Sequence, residues 1–284
     1  MTYSTLLSAS QLHEQLESTV VIDCRFDLGK PAAGEQAYGN HHIPGARYAH
    51  LDRDLSGPIT PATGRHPLPD PQTLAQTFGR WGIDSSRQVV AYDADTGMYA
   101  ARLWWLLRWL GHEQVAVLDG GYKAWQAAGF PTSVEIPQPR TAKFVGHPHN
   151  ESIVSAETVA DVVQQSAWRV LDARAPERFR GEVEPIDPVA GHIPGARNHP
   201  FALNLQANSH FLPSGELAAR YREALGDIAP NRVVAMCGSG VTACHTLLAM
   251  EVAGLRGAKL YAGSWSEWIR DPARAVAAGK GIGF

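Results

Sequence analysis

Three cysteines, Cys24, Cys237 and Cys244, are the strongest nucleophiles of this 284-residue chain, and only one has a setting suited to chemistry. The apolar run Val233-Val234-Ala235-Met236 reads as a buried strand and leads into Cys237-Gly238-Ser239-Gly240-Val241-Thr242, after which a helical pattern starts at about Thr242. Cys237 is thereby placed at a strand end facing a helix N-terminus. Two glycines let the backbone curl with its N–H groups inward, making a nest for an anion, and the helix dipole adds partial positive charge. Both effects favour thiolate over thiol, so Cys237 reads as a nucleophile at neutral pH. The competing reading is a small hydrophobe that closes a buried strand. That description suits Cys244, inside the following helix, and Cys24, which follows a buried strand elsewhere.

Other residues able to do chemistry are weighed the same way. His42 and His192 could serve as acids or bases, but Pro and Gly two and three positions later mark a turn after each, which favours a structural role. Gly64-Arg65-His66-Pro67 lies in a proline-rich stretch and either brings cations over the cysteine loop or forms a plain surface loop. Gly263-Ser264-Trp265 follows a strand and is a candidate for the cleft floor, while Trp104, Trp105 and Trp109 have the spacing of a buried helix face. No G-x-G-x-x-G opens a first helix, and three scattered cysteines make neither a disulfide framework nor a four-ligand zinc site. We expect no cofactor, no metal and a reduced, cytoplasmic setting.

The elements that must position these residues occur twice. His42-Ile43-Pro44-Gly45-Ala46-Arg47 returns as His192-Ile193-Pro194-Gly195-Ala196-Arg197, with Val21-Ile22-Asp23-Cys24-Arg25 answered by Val170-Leu171-Asp172-Ala173-Arg174. Strands are expected at 20–23, 89–92 and 115–118, then at 169–172, 232–236 and 259–261; helices at 10–17, 71–81 and 98–110, then at 156–165, 215–225 and 242–253. Alternating strands and helices imply an α/β fold of two tandem domains, each a parallel sheet with helices on both faces and its ligand site beyond the carboxyl ends of the strands. The proline-bearing stretch from Pro131 to Asn150 reads as the connector, giving domains 1–140 and 141–284. The first-copy counterpart of Cys237-Gly238-Ser239 is Asp93-Ala94-Asp95, so only the second domain can work through cysteine. A net charge of -3 provides no general field for nucleic acid or an anionic membrane. Residues 1–18 lack a signal-peptide pattern, and Arg108 interrupts the densest apolar run, so no membrane span is expected.

The duplicated H-I-P-G-A-R box, the paired D-x-R strands and the single C-G-S-G-V-T-A loop resemble the tandem-domain rhodanese-type sulfurtransferases along essentially the whole chain. The resemblance implies two rhodanese domains and a persulfide on Cys237, formed from a small-molecule sulfur donor and passed to a thiophilic acceptor such as cyanide or a thiol. A thioredoxin-like reductant is a further candidate acceptor. Neutral Gly238 and Ser239 resemble the 3-mercaptopyruvate type of loop, whereas thiosulfate-type loops carry cations there. The resemblance makes Gly238, Ser239, Gly240, Val241 and Thr242 the donor-binding loop, with Arg178 as the arginine for the donor's carboxylate. Ile186 falls where the mercaptopyruvate type often has a second arginine. Ala32-Ala33-Gly34-Glu35 lacks the aspartate of a serine relay, leaving Glu35 as the nearby acid for Ser239.

Alternatives from other classes are a cysteine phosphatase and a non-catalytic rhodanese-like binding module. The phosphatase loop C-x5-R needs an arginine where this chain has Ala243. A binding module needs neither the cysteine nor Arg178.

Overall fold

A computed structural model describes residues 2–280 of the chain. They form two compact units. The first consists of Met1–Gly57, Leu68–His149 and Ala207–Phe211; the second of Pro58–Pro67, Asn150–Gln206 and Leu212–Phe284. Each unit thus includes a short segment from the other half of the chain.

In the first unit, β1 (Leu6–Leu7), β2 (Val20–Asp23), β3 (Arg47–Tyr48), β4 (Val89–Tyr92) and β5 (Val115–Leu118) form one parallel sheet in the order β1-β5-β4-β2-β3. The three long strands are buried at every position, as continuous apolar runs require when both sheet faces are covered. One face carries Val21, Val90, Tyr92, Ala116 and Leu118 against Leu12, Tyr38 and Trp125. The alternate residues face the other way, where the helix Ala100–Trp109 packs on β4 and β5. Trp104, Trp105 and Trp109 are buried on it. The helix expected over 10–17 is shorter: Ser8 and Gln11 form a capping box for Ala9–Glu14, and a separate 3-10 turn follows at Leu16–Ser18.

The second unit repeats the pattern with β6 (Arg169–Asp172), β7 (Arg197–Asn198), β8 (Val233–Met236) and β9 (Lys259–Leu260), all parallel, in the order β7-β6-β8-β9. Its core joins Val170, Val234 and Met236 to Phe179, Ile193, Trp265 and Trp268. The helices Ser214–Leu225 and Thr242–Val252 start and stop within a residue of expectation, whereas 156–165 shortens to Ala156–Val162. Among the described residues no helix is long and apolar enough to cross a membrane.

Candidate active site

Strand β8 is fully buried and ends directly at Cys237, itself only 2% exposed. From there the chain turns through Gly238, Ser239 and Gly240 into the helix Thr242–Val252. Gly240 makes that turn possible: its φ is +80°, and a Cβ there would lie 2.3 Å from the Ala262 carbonyl oxygen. Its N–H donates to Cys237 Sγ at 3.1 Å. The backbone N–H groups of Gly238, Ser239, Val241 and Thr242 donate to no protein acceptor. Buried amides without partners are costly, so this loop is arranged to receive an anion.

The far side of the loop is clamped by the chain after β9. Ser264 Oγ donates to the Tyr261 carbonyl at 2.8 Å and accepts the Cys237 N–H at 3.1 Å. To do so Ser264 adopts a left-handed φ of 54°. The Trp265 and Ser266 amides then take the Cys237 and Gly238 carbonyls at 3.0 and 2.9 Å. The sequence offered this stretch as a candidate cleft floor; in the structure it hydrogen-bonds the backbone of the cysteine loop.

Two residues of the 58–67 segment reach the same loop. His66, 5% exposed, sets Nδ1 2.7 Å from Ser239 Oγ. The Arg65 amide donates to Ser266 Oγ at 3.0 Å, and Gly64 lets the segment approach, since a Cβ there would meet the Gly263 carbonyl oxygen at 2.5 Å. A Cβ on Gly238 would lie 3.0 Å from Arg65 Nη2 and 3.6 Å from both terminal nitrogens of Arg178. Glycine at 238 thus lets two guanidiniums close on the loop. Arg65 and His66, open between a surface loop and a site role in the sequence, stand beside Cys237's neighbours.

Arg178 is itself paired. Its Nη2 donates to Glu184 at 2.7 Å and to Asp187 at 3.2 Å, and its Nε is 3.2 Å from both Glu184 oxygens. Asp187 also pairs with Arg65 through its other oxygen. Deeper still, Arg174 is doubly bonded to Asp172 and lies 4.7 Å over the Trp265 ring, its Nη1 buried without a hydrogen bond. Burial pushes the Glu184 carboxyl up, but Arg178 and the Asp187 and Ile186 amides outweigh it and hold the group below the usual range. For Asp187 burial dominates over Arg65 and Arg178, and its carboxyl is raised. Asp172 and Arg174 are the D-x-R pair of the repeat, but the tie between Arg65 and Asp187, 122 positions apart, leaves no motif or spacing in the sequence.

Other candidates have partners of their own. His42 belongs to the first unit, where Nδ1 faces the Tyr38 carbonyl at 2.7 Å and Nε2 the Glu135 carbonyl at 3.0 Å. His192 likewise faces the Phe179 carbonyl at 2.7 Å and stacks on that ring. Both histidines fasten the turns they open. Glu35, the acid considered for Ser239, is in the first unit and pairs with Arg53 at 2.9 Å on its surface; the partner of Ser239 is His66. Burial pushes the Cys24 thiol well above its ordinary range, and Cys244 donates to the Gly240 carbonyl at 3.3 Å from within its helix.

The model of the rhodanese-like domain matches this chain at residues 8–128 and again at 155–271. A probable 3-mercaptopyruvate sulfurtransferase of Pseudomonas aeruginosa is 49% identical over 283 residues, covering 98% of this chain and 100% of that one. The thiosulfate sulfurtransferase of Gallus gallus is 34% identical over 253 residues, 88% of this chain and 86% of that protein. The crystal structure of SseA from Escherichia coli, a 3-mercaptopyruvate sulfotransferase, superposes with a TM-score of 0.80 at 30% identity, over 93% of this chain and 100% of that one. Two matches to one domain model, and relatives alike nearly from end to end, make this chain a tandem-domain sulfurtransferase of the rhodanese family.

Proposed function

We propose that the protein takes sulfur from 3-mercaptopyruvate onto Cys237 and passes it to a thiol or cyanide in a reduced, cytoplasmic setting. The observation that carries this reading is the loop around Cys237, whose Sγ accepts the Gly240 N–H while the Gly238, Ser239 and Val241 amides have no protein acceptor, with Arg65 and Arg178 closed against Gly238. In the first half-reaction the Cys237 thiolate attacks the donor's sulfur. The carbon–sulfur bond breaks, its electron pair leaves as the enolate of pyruvate, and one proton converts that enolate to pyruvate. Arg178, joined by Arg65 where Ile186 leaves no second arginine, binds the donor's carboxylate. Ser239, backed by His66, donates to the ketone oxygen as it gains charge. In the second half-reaction a thiolate or cyanide takes the outer sulfur of the persulfide and the Cys237 thiolate returns. A thioredoxin-like protein is a suitable acceptor, since it offers the same thiolate.

Mass spectrometry after incubation with 3-mercaptopyruvate should find one added sulfur on the peptide bearing Cys237, with release of pyruvate. Donor and acceptor kinetics should be ping-pong, because the covalent intermediate divides the reaction. Sulfur on another cysteine, or turnover without any added sulfur, would overturn the assignment. A second reading, thiosulfate as donor, draws on Arg65, which adds a cation that the loop's own sequence lacks. A higher kcat/KM for thiosulfate than for 3-mercaptopyruvate under matched conditions would select it.

A further inference from the structure

We infer that Asp187, with Glu184 behind it, sets the charge of the donor that the Cys237 site accepts, by neutralising the two guanidiniums that face the loop. The inference rests on the donor-binding role given above to Arg65 and Arg178. Around the loop stand the guanidiniums of Arg65, Arg174 and Arg178, and each is matched by a carboxylate. Asp172 and Arg174 close on one another, both side chains being 1% exposed or less. The balance that a donor meets is therefore that of Arg65 and Arg178 against Glu184 and Asp187.

Asp187 holds the decisive place. One of its oxygens pairs with Arg65 Nη1 and the other with Arg178 Nη2, so a single carboxylate ties together the two cations nearest Gly238. Glu184 spans the Nε–Nη2 edge of Arg178, sharing Nη2 with Asp187; it lies 3.6 Å from Arg174 Nη1 and accepts the backbone N–H groups of Ile186 and Asp187 at 3.1 Å each. That anchoring fixes where Asp187 stands. Both carboxylates have side chains only 3% exposed, which limits screening by water and salt. Hydrogen-bond donors nevertheless remain: Arg178 Nη1 has no protein acceptor, and Arg65 Nη2 points at the Gly238 position.

A donor consequently finds N–H groups to orient it but little uncompensated positive charge. One carboxylate can be held by fork geometry and the loop amides. A second negative charge meets guanidiniums of the second unit that Asp187 and Glu184 already match, so charge rather than shape disfavours a dianion such as thiosulfate. Removing the Asp187 charge helps every anionic donor, and it helps a dianion about twice as much.

The experiment compares the wild type with Asp187→Asn and Glu184→Gln, measuring kcat/KM for thiosulfate and for 3-mercaptopyruvate at one ionic strength with cyanide as acceptor. In Asp187→Asn the thiosulfate-to-mercaptopyruvate ratio should rise on the order of tenfold, mainly through KM for thiosulfate, with a smaller rise in Glu184→Gln. A purely structural role would lower both donors together and leave the ratio unmoved, and that result overturns the inference. Should Asp187→Asn fail to fold, Glu184→Gln and the wild type decide: sulfate should inhibit loading from 3-mercaptopyruvate more weakly than pyruvate does, and stronger inhibition by sulfate overturns the idea. Wild-type protein that loads no sulfur from either donor would defeat the proposed function itself. Loading with an unmoved ratio would defeat the charge argument alone.

Discussion

One sulfur atom sits where the Gly240 amide donates to it and the loop amides of Gly238, Ser239 and Val241, a helix start and two guanidiniums meet, and the other two cysteines sit in ordinary packing. Cys237→Ser should therefore abolish transfer, while Cys24→Ser and Cys244→Ser keep most of it, measured as thiocyanate formed from cyanide. Arg178 offers its free Nη1 to a carboxylate while Glu184 fixes its plane, so Arg178→Ala should raise KM for 3-mercaptopyruvate roughly ten- to a hundredfold with much less effect on the acceptor. An unchanged KM would remove it from the site. At this scale the sequence showed what is local. Cys237 was legible because strand, glycines and helix start are neighbours in the chain, whereas nothing beside Asp187 in the sequence marks it out. Its importance comes from meeting Arg65, a long-range pairing that leaves no periodicity or spacing to read.

The strand-to-helix loop appears in two chemical versions, and comparing them shows what the element requires. In the first unit Asp93 fills its own nest: its carboxylate accepts the N–H groups of Asp95, Gly97, Tyr99 and Ala100 at 3.2, 2.9, 2.8 and 3.3 Å. Burial raises the Asp93 carboxyl, and the Tyr99, Gly97 and Ala100 amides oppose it. Asp93→Ala would strand several buried donors and should cost about 3 kcal/mol, read as a lower urea midpoint. Strand β7 leads to a second test. Burial pushes His199 down to about 4, so the unfolded chain takes up a proton near 6.5 that the folded chain refuses until much lower pH. The stability this provides is complete above about 6.5 and is lost as pH falls toward 4, about 3 kcal/mol in all. His199→Gln should flatten that acid-side loss in denaturant titrations, and an unchanged slope would assign it to other histidines. Central strands were legible as apolar runs; helix ends such as Val162 were not, because no Gly or Pro follows to mark the stop.

For the whole molecule, the repeated box announced the duplication, and the two sheets share one strand order, β5-β4-β2-β3 beside β9-β8-β6-β7. What the chain order concealed is that Pro58–Pro67 belongs to the second unit and Ala207–Phe211 to the first. Residues 150–284 expressed alone keep Cys237 and Arg178 but lack Arg65 and His66. Such a fragment should transfer sulfur at least tenfold less efficiently than the full chain, with KM for the donor raised most. Equal efficiency would show that the 58–67 segment contributes nothing to the site. The exchange of segments also bears on inheritance. A crossover between two related genes near the midpoint would pair each half with a ten- or five-residue piece shaped for another parent's domain, so hybrids should survive only where these two short stretches happen to match. Recombination then sees one indivisible locus where the repeat in the sequence suggests two.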